Sequence, residues 1–409
     1  MFQFIPPPCE DCGPHTVFHR FEYFDALTSE ISALYLSCYE KGGYFLSHLI
    51  DSTSVDAFYL AFIQKMTQAG FGSLHHDPHP HECSRTKALR EEAQRRGIDF
   101  QDFRTSNQES NHFFASWKGE TIAFEGVPRP KGQRVQRWMD KKDQMRQAFI
   151  RTGILVANGG VYFSWKNLLK KFESLEKPVI IKPHLGSRSR HTTIHIETPE
   201  QLRVAFEKAK QLSPWVIIEE ELVGSLFRGT VIGGKMIAIL RRDAPCVIGD
   251  GQKTIRQLVE EENKQSYRHN GVFEPIPMDR DAEQELIRQG YTWNSAPPSG
   301  QRVILNPKFG RGQGSLNEDV TDQAHPDNIQ LLEEAARVIN DPLIGMDFIM
   351  SDISRSWKNQ KRCGIIECNS APFIDIHQYP FKGTPRNTAG ALWDLVFPGS
   401  SLSENHSVL

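Results

Sequence analysis

Strand-length apolar runs alternate with amphipathic helical segments from about residue 135 to the end of the chain. Helices are predicted within "DKKDQMRQAFIRTG", from Ser164, from Thr198-Pro199 and within "HPDNIQLLEEAARVIN". Strands are predicted at "PVIIKP", "WVIIEEEL", "GMDFIM" and "CGIIECN". This alternation of two periods is typical of sheets covered by helices. The sequence therefore predicts a mixed α+β or α/β fold for this part of the chain.

Residues 1–130 are expected to form a separate N-terminal domain that contributes to substrate selection. Helices are predicted over "SVDAFYLAFIQKMTQAG" and "SRTKALREEAQRRG", with Ser84 as the N-cap of the second helix. The segment "FFASWKGETIAF" predicts a hairpin that turns at Lys118-Gly119. The basic, proline-rich "GVPRPKGQR" is the expected linker to a second domain over 131–409.

Composition excludes several classes of function. Of 409 residues, 39% are hydrophobic and 24% charged, and the formal net charge is -2, which argues against nucleic-acid or membrane-surface binding by bulk charge. No signal peptide is evident, and no apolar run approaches the roughly 20 residues of a membrane span. Seven cysteines fit reduced thiols better than a disulfide framework. We expect a soluble, cytoplasmic protein.

The segment "GIIECNSAP" places an acid and an amide at the end of a predicted strand. Strand side chains alternate between faces, so Glu367 and Asn369 share one face and Cys368 points to the other. Oxygen donors suit Mg²⁺, which usually keeps waters and substrate phosphates as its other ligands. Asp347, in the preceding strand-like segment, is a candidate third ligand.

Two lysines are candidate phosphate ligands. Lys182 ends a predicted buried strand, where an ammonium group needs an anionic partner. Lys142, or its neighbour Lys141, lies in the first turns of a helix. For Lys182 the alternative is a lysine that is salt-bridged or that reaches solvent along its alkyl chain.

Three further segments carry polar groups that fit a nucleotide site. The loop "PHLGSRSRHTT" offers arginines and backbone N–H groups for a polyphosphate, or is a solvated hairpin loop. The acidic "VIIEEEL" is either an adenine-reading hinge or a strand that leaves the core. The hairpin that follows is predicted to turn at Gly233-Gly234. Its Arg228, Arg241 and Arg242 can neutralise charge in phosphoryl transfer, or form a charged outer face.

In order along the chain, these parts resemble the ATP-grasp superfamily of carboxylate–amine ligases. Within this superfamily, residues 137 to 398 resemble the ATP-grasp domain of cyanophycin synthetases and of bifunctional glutathione synthetases. The motifs that carry this resemblance are "VIIKP", "VIIEEELVGSLFRGTVIGGKMIAILRRDAPCVIGDGQKTIRQLV", "DVTDQAHPD", "GMDFIMSDISR", "GIIECNSAP" and "KGTPRNTAGALWDLVFPG".

The resemblance implies an ATP-grasp fold, two α+β subdomains that grip ATP, with a lid subdomain at about 178–245. It implies roles for individual side chains, which fall into four groups. The ATP-binding residues would be Lys142, Lys182, Gly186, Ser187, Ser189, Glu219, Glu220 and Leu222; the Mg²⁺ (or Mn²⁺) ligands Asp347, Glu367 and Asn369; the catalytic residues Arg228, Arg242 and Lys182; and the substrate residues His377 and Arg386.

The resemblance also implies the reaction. A carboxylate would attack the γ-phosphate of ATP to give an acyl phosphate and ADP, and an amine would displace phosphate to form an amide. The implied substrates are amino acids or small peptides, without nucleic acid or membrane, and the resemblance is compatible with a homo-oligomer. No protein nucleophile is needed, so Cys368 is expected to be packed. Three residues depart from the family pattern: Ser189 and His191 at glycine positions of the lid loop, and Leu226 at an acidic one.

Three alternatives stay open at this stage. One is a nucleotide-binding module that has lost turnover, motivated by the altered lid loop. Another is the same chemistry within one molecule, which gives a lactam. A third is a structural zinc site in the N-terminal unit, where "CEDC" has a metal-like spacing and "LHHDPHPHEC" concentrates histidines, although no second ligand pair is obvious in the sequence.

Overall fold

The structure of the protein is a computed structural model. It describes residues 9, 11–12, 17–24, 26–28, 52–80, 82–105, 108–133, 135–184, 190–269, 272–306 and 313–401. Within these ranges the labelled helices are α1 Ser52–Gln68, α2 Ser84–Arg95, α3 Lys142–Thr152, α4 Trp165–Ser174, α5 Pro199–Lys210, α6 Ile255–Asn263, α7 Arg280–Arg288, α8 Pro326–Ile339, α9 Asp375–Gln378 and α10 Thr388–Val396.

The strands form antiparallel sheets. In chain order they are β1 Ser73–His75, β2 Asp99–Thr105, β3 Gln108–Trp117, β4 Glu120–Glu125, β5 Gly159–Tyr162, β6 Val179–Pro183, β7 Thr193–Ile196, β8 Val216–Glu220, β9 Ser225–Ile232, β10 Lys235–Asp243, β11 Cys246–Ile248, β12 Arg302–Ile304, β13 Leu316–Asp319, β14 Leu343–Met350 and β15 Gly364–Asn369. Their orders are β1-β2-β3-β4, β5-β8-β6-β7, β13-β10-β9-β14-β15 and β11-β12.

Turn and cap residues explain several element boundaries. The predicted hairpin turns are confirmed: Lys118 and Gly119 have φ values of 47° and 86°, and Gly233 and Gly234 have 58° and 78°, the backbone that a tight two-residue turn requires. The predicted cap at Ser84 is wrong. That residue is the first of α2, and the extended residue before it is the N-cap, without a side-chain capping bond.

The five-stranded sheet has one apolar and one polar face. Phe227, Met346, Phe348 and Cys368 point to the apolar face and pack in a buried core with α3 and α8. Successive side chains alternate between the two faces of a strand, so the neighbours of these residues point to the other face. Several residues on that face are charged and pair directly across the strands. The pattern confirms that Cys368 is packed: its side chain is in the core, and burial raises the pKa of its thiol well above the usual value.

The sheet β5-β8-β6-β7, called the lid sheet below, packs with α4 and α5 around its own core. The sequence prediction extended the lid subdomain to about 245. Instead, the lid sheet ends with β8 at Glu220, and the hairpin of β9 and β10 lies in the five-stranded sheet. The hairpin belongs there because β9 pairs with β14 over its full length, from Ser225 to Ile232.

The N-terminal sheet shares a core with the rest of the chain. Phe100 and Phe113 pack in one cluster with Leu343 of β14 and Trp393 of α10. The predicted linker is also partly buried: Arg129 is 8% exposed and donates to Asp341 Oδ1 at 2.9 Å. A buried ion pair holds this segment against the second part of the chain. The predicted boundary near residue 130 stays a prediction.

No helix in the described part of the chain combines the length and apolar character needed to cross a membrane.

Candidate active site

A cleft opens between the lid sheet and the five-stranded sheet. Its empty volume, which includes space open to solvent, is about 870 Å³. The lining residues are Lys142, Ala157, Ile180, Lys182, Pro183, Arg190, Thr192, Glu219, Glu220, Leu222, Ile349, Ile366 and Glu367. The cleft therefore contains charged groups from both sheets and from the start of α3.

Both predicted phosphate lysines lie in this cleft. Along β6, Val179 and Ile181 are buried under the lid helices, which leaves Lys182 facing the opening. Lys182 Nζ lies 2.5 Å from Glu219 Oε2, and Lys142 Nζ lies 3.6 Å from Glu367 Oε2. Lys182 thus forms the salt bridge that the alternative interpretation expects. Each of the two ammonium groups lies beside a carboxylate, which an incoming anion can displace.

Arg146 is a cleft-side residue that the sequence analysis missed. It lies one helical turn after Lys142 on α3, and its guanidinium donates to the carbonyl oxygens of Ala157 and Gly159 at 3.2 Å and 2.7 Å. Its Nε is 3.9 Å from Glu219 Oε1. The i, i+4 spacing from Lys142 was a signal that could have found it. Arg146 therefore holds the start of β5 in position, and its positive charge partly neutralises the Glu219 carboxylate.

The residues of the predicted hinge lie at the end of β8 and have different surroundings. The Glu220 carboxylate accepts from Asn158 Nδ2 at 2.9 Å and from the Glu176 backbone at 3.1 Å, so this side chain braces the lid sheet. Leu222 lines the cleft, and its backbone N–H has no hydrogen-bond partner among the described residues. A free N–H at the edge of a cleft suits an acceptor nitrogen of a planar base.

Arg362, which the sequence analysis also missed, ties the hinge together. Its guanidinium donates to the carbonyl oxygens of Lys177, Pro178 and Glu221 at 2.7, 2.6 and 2.7 Å. These carbonyls precede β6 and follow β8, the two strands where the lid sheet meets the five-stranded sheet. One arginine from the segment before β15 therefore fixes the direction in which the lid sheet leaves the hinge.

A row of three charged residues crosses the polar face of the five-stranded sheet. Asp347 on β14 pairs directly with Arg228 on β9 and with Glu367 on β15. Arg228 Nε lies 2.5 Å from Asp347 Oδ1, while the Glu367 side chain is 39% exposed toward the cleft. Cross-strand partners share a face, so the register itself brings these groups together.

The predicted metal ligands fit a hard divalent cation. Glu367 and Asn369 lie on the face that carries Asp347, as the strand alternation predicts, and the set offers two carboxylates and an amide. The amide Nδ2 of Asn369 is buried without a hydrogen-bond partner among the described residues. Mg²⁺ prefers oxygen ligands. The amide of Asn369 can rotate by half a turn and present its oxygen in place of the nitrogen, because no partner in the described part of the chain holds the nitrogen.

The loop after β15 is held in place behind this face. Asp140 accepts from the Ser370 backbone N–H at 2.8 Å and from the Ser370 hydroxyl at 2.6 Å. Arg129 donates to the Ser370 carbonyl at 2.5 Å. The end of the strand that carries Glu367 and Asn369 is therefore fixed by the preceding linker and by the turn before α3.

A second cavity adjoins the row on the side of Arg228. Its empty volume is about 920 Å³, and it is lined by Arg228, Leu240, Arg242, Val272, Phe273, Ser315, Leu316, Asn317, Phe373 and Ile376. Arg228 and Arg242 supply positive charge, whereas Arg241 pairs with Asp243 and with Glu318. Of the three arginines considered in the sequence, two thus line this cavity.

Of the two predicted substrate residues, His377 needs correction, and Arg386 stays a prediction. His377 was expected to contact the acceptor substrate, but its side chain is fully buried and forms a 2.7 Å hydrogen bond with Thr230 Oγ1. Burial, together with nearby Arg228, lowers the His377 pKa to about 3, so its imidazole is neutral. Arg386 donates to Asp319 Oδ1 at 2.8 Å and to Asp322 at 2.6 Å, and both contacts occupy its guanidinium. His377 lies on the polar face itself, because Thr230 shares that face with Arg228. Arg386 lies at the edge strand β13, which carries Asp319.

The lid loop is described in part. The predicted ATP-binding residues Gly186, Ser187 and Ser189 lie outside the described residues. Arg190 lines the cleft, whereas His191 is fully buried and turned toward the Lys208 carbonyl at 2.8 Å. His191 thus does not line the cleft.

Comparison with known proteins finds similar sequences and a similar fold. No protein-family model matches the chain. Over 261 residues, 63% of the chain, it is 36% identical to a cyanophycin synthetase of Trichormus variabilis, of which it covers 29%. Over 264 residues it is 31% identical to the glutathione biosynthesis bifunctional protein GshAB of Clostridium perfringens, of which it covers 33%.

The fold agrees with these matches. A bifunctional glutathione synthetase from Pasteurella multocida superposes with a TM-score of 0.60 at 22% identity, covering 77% of this chain and 43% of that one. The chain has the ATP-grasp fold of this structure. The predicted fold is thereby confirmed, and the cleft lies between the lid sheet and the five-stranded sheet. It spans about three-tenths of the length of the curated relatives it matches.

Proposed function

We propose that the protein is an ATP-dependent, ADP-forming ligase that joins a carboxylate to an amine through an acyl phosphate. One observation carries this proposal: the cleft with Lys142 and Lys182 and the cavity with Arg228 and Arg242 meet at the row Arg228–Asp347–Glu367. A nucleotide and a carboxylate bound on the two sides of this row would have their reacting ends close together, which is the main requirement for phosphoryl transfer.

The cleft suits ATP for electrostatic and hydrogen-bonding reasons. Lys142 and Lys182 supply two ammonium groups for the phosphates, and the Leu222 N–H is available to the base. Glu219, which neutralises Lys182 in the structure, lies between the lysine and the hinge. Asp347, Glu367 and Asn369 would hold Mg²⁺, which would supply charge neutralisation for the phosphates.

The bond changes need no protein nucleophile. An oxygen of the substrate carboxylate attacks the γ-phosphorus, the bond to the β-phosphate oxygen breaks, and ADP leaves. The amine nitrogen then adds to the acyl carbon, phosphate leaves with the bonding electrons, and the amine loses a proton. Arg228 and Arg242 hold and neutralise the carboxylate and the transferred phosphoryl group, which is electrostatic catalysis.

The second cavity and the relatives support a proposal for the substrate class. Two arginines at its wall suit carboxylates, and Phe273, Phe373 and Leu316 offer apolar surface for a side chain. The names of the relatives include glutathione synthetases. We propose amino acids or small peptides as substrates, and a cytoplasmic reaction, since the described cysteines are free.

The experiment is incubation with Mg²⁺-ATP and pooled amino acids and small peptides. ADP and phosphate release are followed, and mass spectrometry searches for products formed with loss of water. ADP together with such a product supports the proposal and identifies the substrates. AMP and pyrophosphate would indicate adenylation and overturn the mechanism.

Two alternatives are separated by the same experiment. A product with the mass of one substrate less water indicates an intramolecular amide, whereas a product of two substrates indicates ligation between molecules. Tight ATP binding without turnover on any pool would support a nucleotide-binding module.

A further inference from the structure

A group of four thiol and imidazole side chains lies outside the cleft, on the lid sheet. Cys9, Cys12, His19 and His191 each present one ligand atom, and these atoms all lie within 4.8 Å of one another. Cys12 and His191 are buried, and the other two are half-buried. Within the described residues no second group of this kind is found, so the histidines of "LHHDPHPHEC" that are described do not form one.

The contacts within the group are those of ligands that converge on one point. Cys9 Sγ and Cys12 Sγ lie 3.5 Å and 3.4 Å from His191 Nε2. Cys12 Sγ also lies 3.4 Å from His19 Nε2. The two rings meet edge to face with centroids 4.7 Å apart. Distances of this size separate the ligand atoms of a tetrahedral site in which Zn–S is about 2.3 Å and Zn–N about 2.0 Å.

His191 is oriented as metal-binding histidines are. Its Nδ1 lies 2.8 Å from the Lys208 carbonyl oxygen, so Nδ1 carries the proton and donates, and Nε2 remains unprotonated toward the cysteines. Such a backbone hydrogen bond fixes the tautomer of a ligating imidazole. Further contacts hold the same region: the His191 N–H donates to the Asp11 carbonyl at 3.3 Å, and Lys208 Nζ lies 2.5 Å from Asp11 Oδ1.

The sequence spacing supports the same chemistry. Cys9 and Cys12 are separated by two residues, a usual spacing for two zinc ligands on a tight turn. The second pair was not evident in the sequence because His191 lies 179 residues after Cys12. Only the fold brings it to the N-terminal segment.

We propose that Cys9, Cys12, His19 and His191 form a structural Zn²⁺ site that fastens the N-terminal segment to the lid sheet. The four ligands are all protein side chains, which leaves no position for a substrate. His191 lies two residues before β7, at the end of the lid loop, so the metal anchors the end of that loop. This gives a physical reason for a histidine at a position where the family has glycine.

The test is metal content, which does not depend on ligase activity. The full chain is purified without chelators, desalted, and analysed by inductively coupled plasma mass spectrometry. We expect about one zinc per chain, as in a closed Cys₂His₂ site. Replacement by Co²⁺ should give the visible bands of tetrahedral Co²⁺ together with a thiolate charge-transfer band. Wild-type protein that retains no zinc after addition of equimolar Zn²⁺, or Co²⁺ protein without the thiolate band, would overturn the proposal.

Variants locate the site. Cys12→Ser and His191→Asn should each lose the zinc, whereas Cys83→Ser and His76→Asn, at an exposed cysteine and an exposed histidine, should retain it. Loss of zinc in the second pair alone would move the metal to another site and overturn the assignment. A Cys9–Cys12 disulfide in wild-type protein, seen as the loss of two hydrogens by mass spectrometry, would also overturn it. If the first two variants do not fold, the Co²⁺ spectrum of the wild-type protein decides.

Discussion

Arg228 and Asp347 form an ion pair between neighbouring strands, with Arg228 Nε 2.5 Å from Asp347 Oδ1 and Nη2 3.1 Å from Oδ2. The two side chains are only 9% and 10% exposed. Arg228 also lines the second cavity, and Asp347 is a proposed metal ligand beside the cleft. The pair thus connects the two halves of the proposed reaction, and an anionic substrate would compete with Asp347 for the guanidinium.

Arg228→Met should lower kcat for ADP formation by about 100-fold or more, because it removes a positive group aimed at charge that develops in the transition state. The measurement is steady-state ADP release with saturating Mg²⁺-ATP. Arg241→Met is the control, since Arg241 pairs with Asp243 and Glu318 and does not line the cavity. Equal rates in the Arg228 variant and the control would contradict the role of Arg228.

Glu367→Gln should abolish Mg²⁺-dependent turnover while the thermal unfolding temperature changes little. The substitution removes a ligand charge and keeps the shape of a side chain that is 39% exposed. Turnover is measured against Mg²⁺ concentration. Glu334→Gln on α8 is a matched control, because that side chain is also 39% exposed. Normal turnover in the Glu367 variant would show that the metal assignment is wrong.

Lys182→Ala should weaken ATP binding by roughly 10- to 100-fold, since a hydrogen bond to a charged group contributes about 1.5–3 kcal/mol. The loss is partly offset, because Lys182 no longer has to be separated from Glu219. Titration calorimetry with ATP measures the affinity. Lys166→Ala, at an exposed position near the start of α4, is the control. An affinity unchanged from the wild type would remove Lys182 from the phosphate site.

The local elements could be predicted from the sequence because their signals lie within a few residues. The turns at Lys118-Gly119 and Gly233-Gly234 need positive φ values, and the Thr198 capping box lies next to the helix that it starts. The same locality explains the correct faces of Glu367, Cys368 and Asn369: strand alternation alone assigns them.

Contacts between distant segments could not be predicted in this way. Arg362 reaches carbonyl groups 141 to 185 residues earlier, and nothing in its neighbourhood in the sequence signals a hinge. His377 was misassigned for a related reason. A histidine next to a loop has the same appearance in the sequence whether it faces substrate or is buried against Thr230. The extent of the lid subdomain was wrong because strand pairing, which places β9 beside β14, is a property of the fold.

His377→Gln should flatten the dependence of folding stability on acid pH. The His377 pKa is about 3 in the folded protein, against about 6.5 for an unfolded chain. Below about pH 6.5 the unfolded state therefore binds a proton that the folded state does not, and the free energy of unfolding decreases as the pH falls toward about 3. Each pH unit in this window costs up to about 1.4 kcal/mol. The wild type loses this stability on acidification, and the glutamine variant does not.

Urea unfolding at about pH 7 and about pH 5 measures the effect, because His377 alone should contribute about 2 kcal/mol to the difference between the two conditions. The variant is expected to be less stable at both pH values, since the hydrogen bond to Thr230 changes, so only the difference between conditions is diagnostic. His76→Gln is the control, because that imidazole is 68% exposed. If the wild type and the His377 variant lose the same free energy on acidification, His377 is not held neutral by burial, and the support of the polar face by a neutral imidazole is wrong.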